Sequence, residues 1–373
     1  MIDTVILTIP RYKFTTLNSY ANGLSWDLNA RTPHFEKFVK NPSAADKNKG
    51  IYMPRLTGIN MRITGGTKSF LKIEFSVPKL LYQNNLREVT DNDFPEIVSI
   101  LQNKLRDMGV ITSKSEIENA AVSAFHPSKN IVLSDGYTAS LVIKELSKIN
   151  LSKKLDLNKA DFRNNGRSLQ GYTQSHSIVF YDKIADLNQS KKRAIDRDQL
   201  PQQLSLFAEI KKRRLTLEIL RMEIRLCRKQ KLNLVMQSLG FAKNPTFKDV
   251  VKKDVCQKIV QFYWKTLIAD ENLFLFELTN KPSQLLKNIL RKHQKMKLKQ
   301  AIYLTGLNLL CKDDEGIRGL RENTYKSLPN HNWNRTCADI KMLNDISDKQ
   351  NTHGWIKQIE EAITEFQPIK IQI

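Results

Sequence analysis

The stretch LEILRMEIRL, residues 217–226, constrains the fold more than any other part of the chain. Leu220, Met222, Ile224 and Leu226 alternate with Arg221, Glu223 and Arg225. That period of two sends alternate side chains to opposite faces of a β-strand. One face belongs in a core, and the other carries a carboxylate between two guanidinium groups. Such a face suits a solvated ion-pair ladder. It also suits a site where Glu223 holds a divalent cation and the arginines grip phosphate.

A second stretch, FLKIEFSVPKLL, repeats the pattern: Leu71, Ile73, Phe75 and Val77 alternate with Lys72, Glu74 and Ser76, and Pro78 ends the strand. Two strand-borne acids on polar faces, Glu74 and Glu223, could share one hard cation if the fold brings them together. In HSIVFYDKI, residues 176–184, Ser177, Val179, Tyr181 and Lys183 share one face. His176 falls on the other, which makes it structural or DNA-contacting rather than an activator of Tyr181. His126, before a proline in AFHPSK, reads as a turn residue with a smaller claim as ligand or general base.

Residues 2–12 read as a strand, and the polar stretch 20–50 as loops. Thr90, Asp91 or Asp93 caps a helix whose apolar face is Phe94, Ile97, Ile100, Leu101 and Leu105, and Gly109 stops it. ENAAVSAFHPSKNIVL predicts a strand and turn, and GYTASLVIKELSKINL predicts a second helix. SLQGYTQSHSIVFYDK predicts a hairpin turning near Gly171 to Ser175, and 185–214 a long charged helix or loop. After about residue 235 the segments are helical. The expected organisation is therefore an α+β unit, residues 1–240, followed by an α-helical region, 241–373. No internal repeat or low-complexity tract is evident.

Sixty Lys and Arg against 38 Asp and Glu leave a formal charge of +22. This excess favours polyanionic partners, nucleic acid first. Lys211, Lys212, Arg213 and Arg214 form one basic cluster, and Arg291, Lys292 and Lys295 belong to another that holds no acid across residues 281–300. Both read as phosphate-backbone contacts. The four cysteines have no paired spacing, which argues against zinc and a disulfide framework and fits a reducing cytoplasm. No apolar run reaches the ~18 residues that span a bilayer, and no secretory leader is expected. ATP-binding, dinucleotide, zincin and serine-hydrolase motifs are absent.

Read in order, MIDTVILTIP, GINMRITGGTKSFLKIEFSVPKLLYQNN, RSLQGYTQSHSIVFYDK and LEILRMEIRLCRKQKLN resemble the gene II/X replication-protein family of filamentous phages. The middle segments also resemble the replication initiators of small rolling-circle plasmids of Gram-positive bacteria. The resemblance spans roughly residues 1–240. It implies an HUH-like antiparallel-sheet nickase core, acting at a replication origin in the bacterial cytoplasm through Mg²⁺ or Mn²⁺. A host helicase and polymerase are implied as partners. It assigns the nucleophile to Tyr181, with Lys183 and Arg221 favouring the phenolate and neutralising the transition state. It assigns metal ligands to Glu74 and Glu223. The family's third acidic position falls on Asn119, so weak coordination by Asn119, or replacement by Glu118 or His126, is expected there. The competing expectation is a DNA-binding replication regulator of the same fold without catalysis. A general RNA-binding protein would explain the charge but not the ordered strands.

Overall fold

The computed structural model describes residues 1–16, 37–40, 52–63, 66–149, 156–163, 167–187, 217–270, 272–278, 281–313, 315–328, 332–346 and 351–369. Among them, nine strands form one sheet. They are β1 (Ile2–Pro10), β2 (Lys37–Lys40), β3 (Arg55–Ile63), β4 (Gly66–Ser76) and β5 (Ala121–Leu133). The other four are β6 (Asp156–Arg163), β7 (Ser168–Tyr172), β8 (His176–Asp182) and β9 (Glu218–Leu226). Their order is β2-β3-β4-β1-β5-β9-β8-β7-β6, antiparallel throughout.

That order contains a repeat the residues do not advertise. β1 is central, and the chain comes back from one edge through β2 and β3 to lay β4 against β1. β5 is central beside β1, and the chain comes back from the other edge through β6, β7 and β8 to lay β9 against β5. β1 and β5 pair antiparallel, and β4 and β9 flank that seam in the same way on its two sides.

Alternation gives the sheet one apolar face. Val5, Leu7, Ile73, Phe75, Phe125, Ile178, Phe180, Met222 and Ile224 are all buried there. Helices complete the same core, with Ile97, Leu101 and Leu105 from α1 (Phe94–Asp107) and Val142 and Ile143 from α2 (Ala139–Leu146). A capping box of Thr90 and Asp93 closes the 3₁₀ turn Asp91–Asp93 that runs into α1, and Thr138 caps α2 by accepting from the Leu141 N–H. Both helices stand where apolar spacing and capping residues place them.

After α3 (Lys183–Leu187) and β9 the described chain is helical: α4 (Lys229–Ser238), α5 (Lys253–Trp264), α6 (Pro282–Lys292), α7 (Leu298–Lys312), α8 (Gly316–Ser327), α9 (Trp333–Ile346) and α10 (Gly354–Glu365). The helical change expected near residue 240 is present, and the hydrophobic core runs through it without a break. Phe247 packs edge-on against Phe75 and Phe94, with ring centroids 5.8 and 5.2 Å away.

One expected turn is absent. β5 runs 13 residues straight through His126 and Pro127. Pro127 has no N–H to give the ladder, and its pairing with β1 shifts register between Ile2 and Val5. The irregularity that accommodates the proline falls on Asp3.

Candidate active site

Register assembles the polar face. On β8 and β9, Tyr181 lies opposite Arg221, Val179 opposite Glu223 and Ser177 opposite Arg225. On β9 and β5, Arg221 lies opposite Asn130 and Glu223 opposite Ser128. Opposed residues share a face, so Tyr181, Arg221, Glu223 and Ser128 converge. This face is no solvated ladder: Arg221 and Glu223 are each 2% exposed. Buried charges at this depth must be paired.

They are paired in a definite order. The Tyr181 hydroxyl donates to Glu223 Oε2 at 3.3 Å, and Arg225 Nε donates to Oε1 at 2.8 Å. His126 Nδ1 lies 3.6 Å from the same Oε1. The Arg221 guanidinium donates to Asp3 Oδ1 at 2.7 Å, to Ser128 Oγ at 2.9 Å and to the Asn85 carbonyl at 2.8 Å. Asp3 was invisible as a site residue in the sequence. Its signal was an acid at the start of an otherwise apolar strand.

β8 ends at Asp182, whose carboxylate accepts from the Ala185 N–H. Lys183 therefore opens α3 instead of continuing the strand. Its side chain still reaches the tyrosine, with Nζ 5.4 Å from the Tyr181 ring centroid. Lys183 is wholly buried, and its Nζ has no hydrogen-bond partner among the described residues. The nearest acid, Asp186, is 3.9 Å away.

These surroundings set the protonation states. Burial, then the Arg221 charge, brings the Lys183 ammonium down to about 7, against the pull of Asp186 and Asp3. Burial pushes the Tyr181 phenol well above its usual value; Arg221 opposes this, and Glu223, Asp186 and Asp3 reinforce it. Burial favours protonated Glu223, but Arg225, His126 and Arg221 outweigh it and hold the carboxyl below its ordinary range. Burial likewise disfavours ionised Asp3, and Arg221, foremost among four cations, keeps it well below the carboxylate range. The resting site thus holds a protonated phenol, two paired carboxylates and a lysine poised between its two forms.

The remaining expected ligands do not gather here. Glu74 lies opposite Ile6, which lies opposite Ala124, whereas Glu223 lies opposite Ser128. Three strand spacings and four residues of offset put the two acids about 14 Å apart across the sheet and about 13 Å along it. Glu74 is 43% exposed and pairs with Arg55 at 3.6 Å. Asn119 is exposed at the end of the short helix Lys114–Glu118, where its amide donates to the Ser115 carbonyl at 2.8 Å. Glu118 sits on that helix too, off the sheet. Only His126 of the substitutes reaches Glu223, as part of a strand and not a turn.

Among the described residues no three His, Cys, Asp or Glu side chains converge as a metal-holding group. Asp3, Glu223 and His126 are neighbours, but each carboxylate already holds an arginine. Mg²⁺ would take only one or two carboxylates here, with waters and substrate phosphates completing its shell, and Asp3 and Glu223, with His126, are the groups that would hold it.

His176 keeps its structural role: it is 7% exposed, its Nδ1 is 2.9 Å from Thr173 Oγ1, and its ring lies 5.9 Å from that of Tyr263. Burial, and then Lys231, lowers its pKa to about 4, so it is neutral. Of the basic clusters, Lys211, Lys212, Arg213 and Arg214 lie outside the described residues. Arg225 is a site residue bound to Glu223. Arg291 and Lys295 are exposed. Lys292 caps the end of α9 by donating to the Ile346 and Asp345 carbonyls at 2.7 and 3.3 Å. No helix among the described residues is long and apolar enough to cross a membrane. Comparison of the chain with protein-family models, with characterised proteins and with solved structures finds no match in any of the three.

Proposed function

We propose that the chain is a site-specific DNA nickase that starts rolling-circle replication, with an HUH-like core and Tyr181 as nucleophile. The observation that carries the reading is the buried polar constellation around one tyrosine: Glu223 on its hydroxyl, Arg221 opposite it and Lys183 over its ring. A structural tyrosine needs one hydrogen-bond acceptor. It does not need a buried lysine that lacks a hydrogen-bond partner among the described residues.

The chain's own groups can carry the step. Glu223, which accepts the phenol hydrogen bond at 3.3 Å, takes the proton. Lys183, with Nζ 5.4 Å from the ring centroid, favours the phenolate. The Tyr181 oxygen bonds to phosphorus, the P–O3′ bond breaks, and Glu223 returns the proton to the departing 3′-oxygen. The 5′-phosphate stays on Tyr181, and the free 3′-hydroxyl serves a host polymerase, with a host helicase opening the duplex. The phosphotyrosine ester keeps the bond energy for rejoining. Arg221, held by Asp3, Ser128 and Asn85, contributes a fixed positive charge beside the developing negative one.

A second reading, a DNA-binding regulator without catalysis, is favoured by the raised Tyr181 pKa and by the dispersed positions of Glu74, Glu118 and Asn119. The test is a covalent-adduct assay with origin-region single-stranded oligonucleotides, run with Mn²⁺, with Mg²⁺ and with EDTA. A shifted band lost in Tyr181→Phe supports the nickase. Salt-sensitive binding without an adduct in any condition supports the regulator.

A further inference from the structure

We propose that α7 is a self-association surface, on which a second copy of the chain docks antiparallel about a two-fold axis at Gly306. Leu298, Ile302, Tyr303, Leu309 and Leu310 stand on α7 with 43–58% of their surfaces exposed. An apolar face this open on one helix marks a contact surface rather than scattered surface residues. The opposite side, Ala301, Leu304, Leu307 and Cys311, is buried in the protein's own core. The helix is thus apolar on two faces and covered on only one of them.

The pattern of the exposed side identifies the occupant. Lys299, Ile302, Gly306, Leu310 and Asp313 recur at steps of three and four residues and share one stripe. An isologous interface requires residue i to meet j and j to meet i. Placing the axis at Gly306 brings Ile302 onto Leu310 of the partner subunit and Lys299 onto Asp313 of the partner subunit. Each pair recurs on the other side of the axis. Apolar meets apolar, and cation meets anion. Lys299 and Asp313 are both exposed, at opposite ends of the helix. Gly306 occupies the point of closest approach, where open space surrounds the place its Cβ would take. A parallel arrangement would oppose Lys299 to Lys299 of the partner subunit.

One pair of 15-residue helices covers less than the roughly 1,200 Å² at the low end of stable interfaces. The association is therefore reversible and concentration-dependent.

Sedimentation equilibrium of the full chain over a concentration series tests this. Wild type is expected to move from monomer to dimer. Gly306→Leu is the decisive variant: the place its Cβ would take is open in its own chain and helix propensity improves, yet the side chain blocks the close approach. It should raise the dissociation constant by about tenfold or more, with the circular-dichroism spectrum unchanged. Lys299→Asp alone should weaken the dimer, and combination with Asp313→Lys should restore it. A wild type that stays monomeric throughout, including one that binds anionic vesicles instead, overturns the proposal. So does a Gly306→Leu variant that dimerises like wild type.

Discussion

Lys183→Met separates a functional lysine from a structural one. The ammonium is wholly buried, and its pKa falls from 10.5 to about 7, burial being the first cause. The folded pKa lies below the unfolded one, so between those values the unfolded chain binds the extra proton. Stability therefore rises with pH across that window. The full cost of burying the charge is present below pH 7 and gone above pH 10.5. At pH 7 the gap amounts to about 4 kcal/mol. Methionine fills similar space without a charge, and the lost cation–π contact with Tyr181 is worth only about 1 kcal/mol. The variant should be more stable than wild type by about 3 kcal/mol at pH 7, with the difference closing towards pH 10.5, while adduct formation is lost. Urea unfolding of both proteins at several pH values measures it. A difference that does not vary with pH, or a variant less stable at pH 7, would refute the reasoning.

Tyr181→Phe should abolish the covalent adduct and leave DNA affinity within about twofold, because the tyrosine supplies no phosphate charge; adduct gels and fluorescence anisotropy read the two. Arg221→Met and Asp3→Leu should each cost about 3–5 kcal/mol, since each leaves a buried charge unpaired. The double variant should cost clearly less than their sum, as a double-mutant cycle by chemical denaturation will show. Asp3→Asn should also flatten the acid limb of stability. The depressed Asp3 carboxyl contributes stability above its unfolded pKa of about 4 that is lost as pH falls, and thermal melts from pH 6 to 3 follow it.

The strands that carry the site were legible because their alternation is unbroken: Leu220 to Leu226 and Leu71 to Phe75 take the faces the period assigns. Capping residues made α1 and α2 legible for the same local reason. What was not legible depends on pairing between distant strands. Asp3 meets Arg221 across 218 residues of chain, through a register shift that Pro127 imposes on a neighbouring strand. Nothing local to Asp3 encodes that shift. His126 looked like a turn because proline follows it, yet β5 continues through Pro127, which pairs with Ile2 at the start of β1. Asn119 looked like a strand position because the resemblance aligned it with one, while Ser113 caps a short helix there by accepting from the Glu116 N–H.

The repeated arrangement of the sheet explains why Glu74 and Glu223 read alike and behave differently. β4 stands to β1 as β9 stands to β5, and Lys72-Ile-Glu74 lies on the one strand, Arg221-Met-Glu223 on the other. Their polar faces are not covered alike. In the second half Asn85 and Leu86 lie over β5 and β9: the Asn85 carbonyl takes Arg221, and the Leu86 carbonyl takes the Asn130 amide at 2.9 Å. Glu223 is left 2% exposed there, whereas Glu74 keeps 43% of its side chain in solvent. The same substitution should then have opposite weight. Glu223→Gln leaves Arg225 without its carboxylate inside the site and should cost about 3 kcal/mol. It should also lower the Tyr181 phenol pKa, because the Glu223 charge is one of its raising influences; ultraviolet difference titration reads that shift. Glu74→Gln removes only a screened partner of Arg55 and should cost less than about 0.5 kcal/mol. Equal costs for the two, measured by chemical denaturation, would mean that burial does not distinguish the halves. The placement of the candidate site in only one of them would then lose its physical basis.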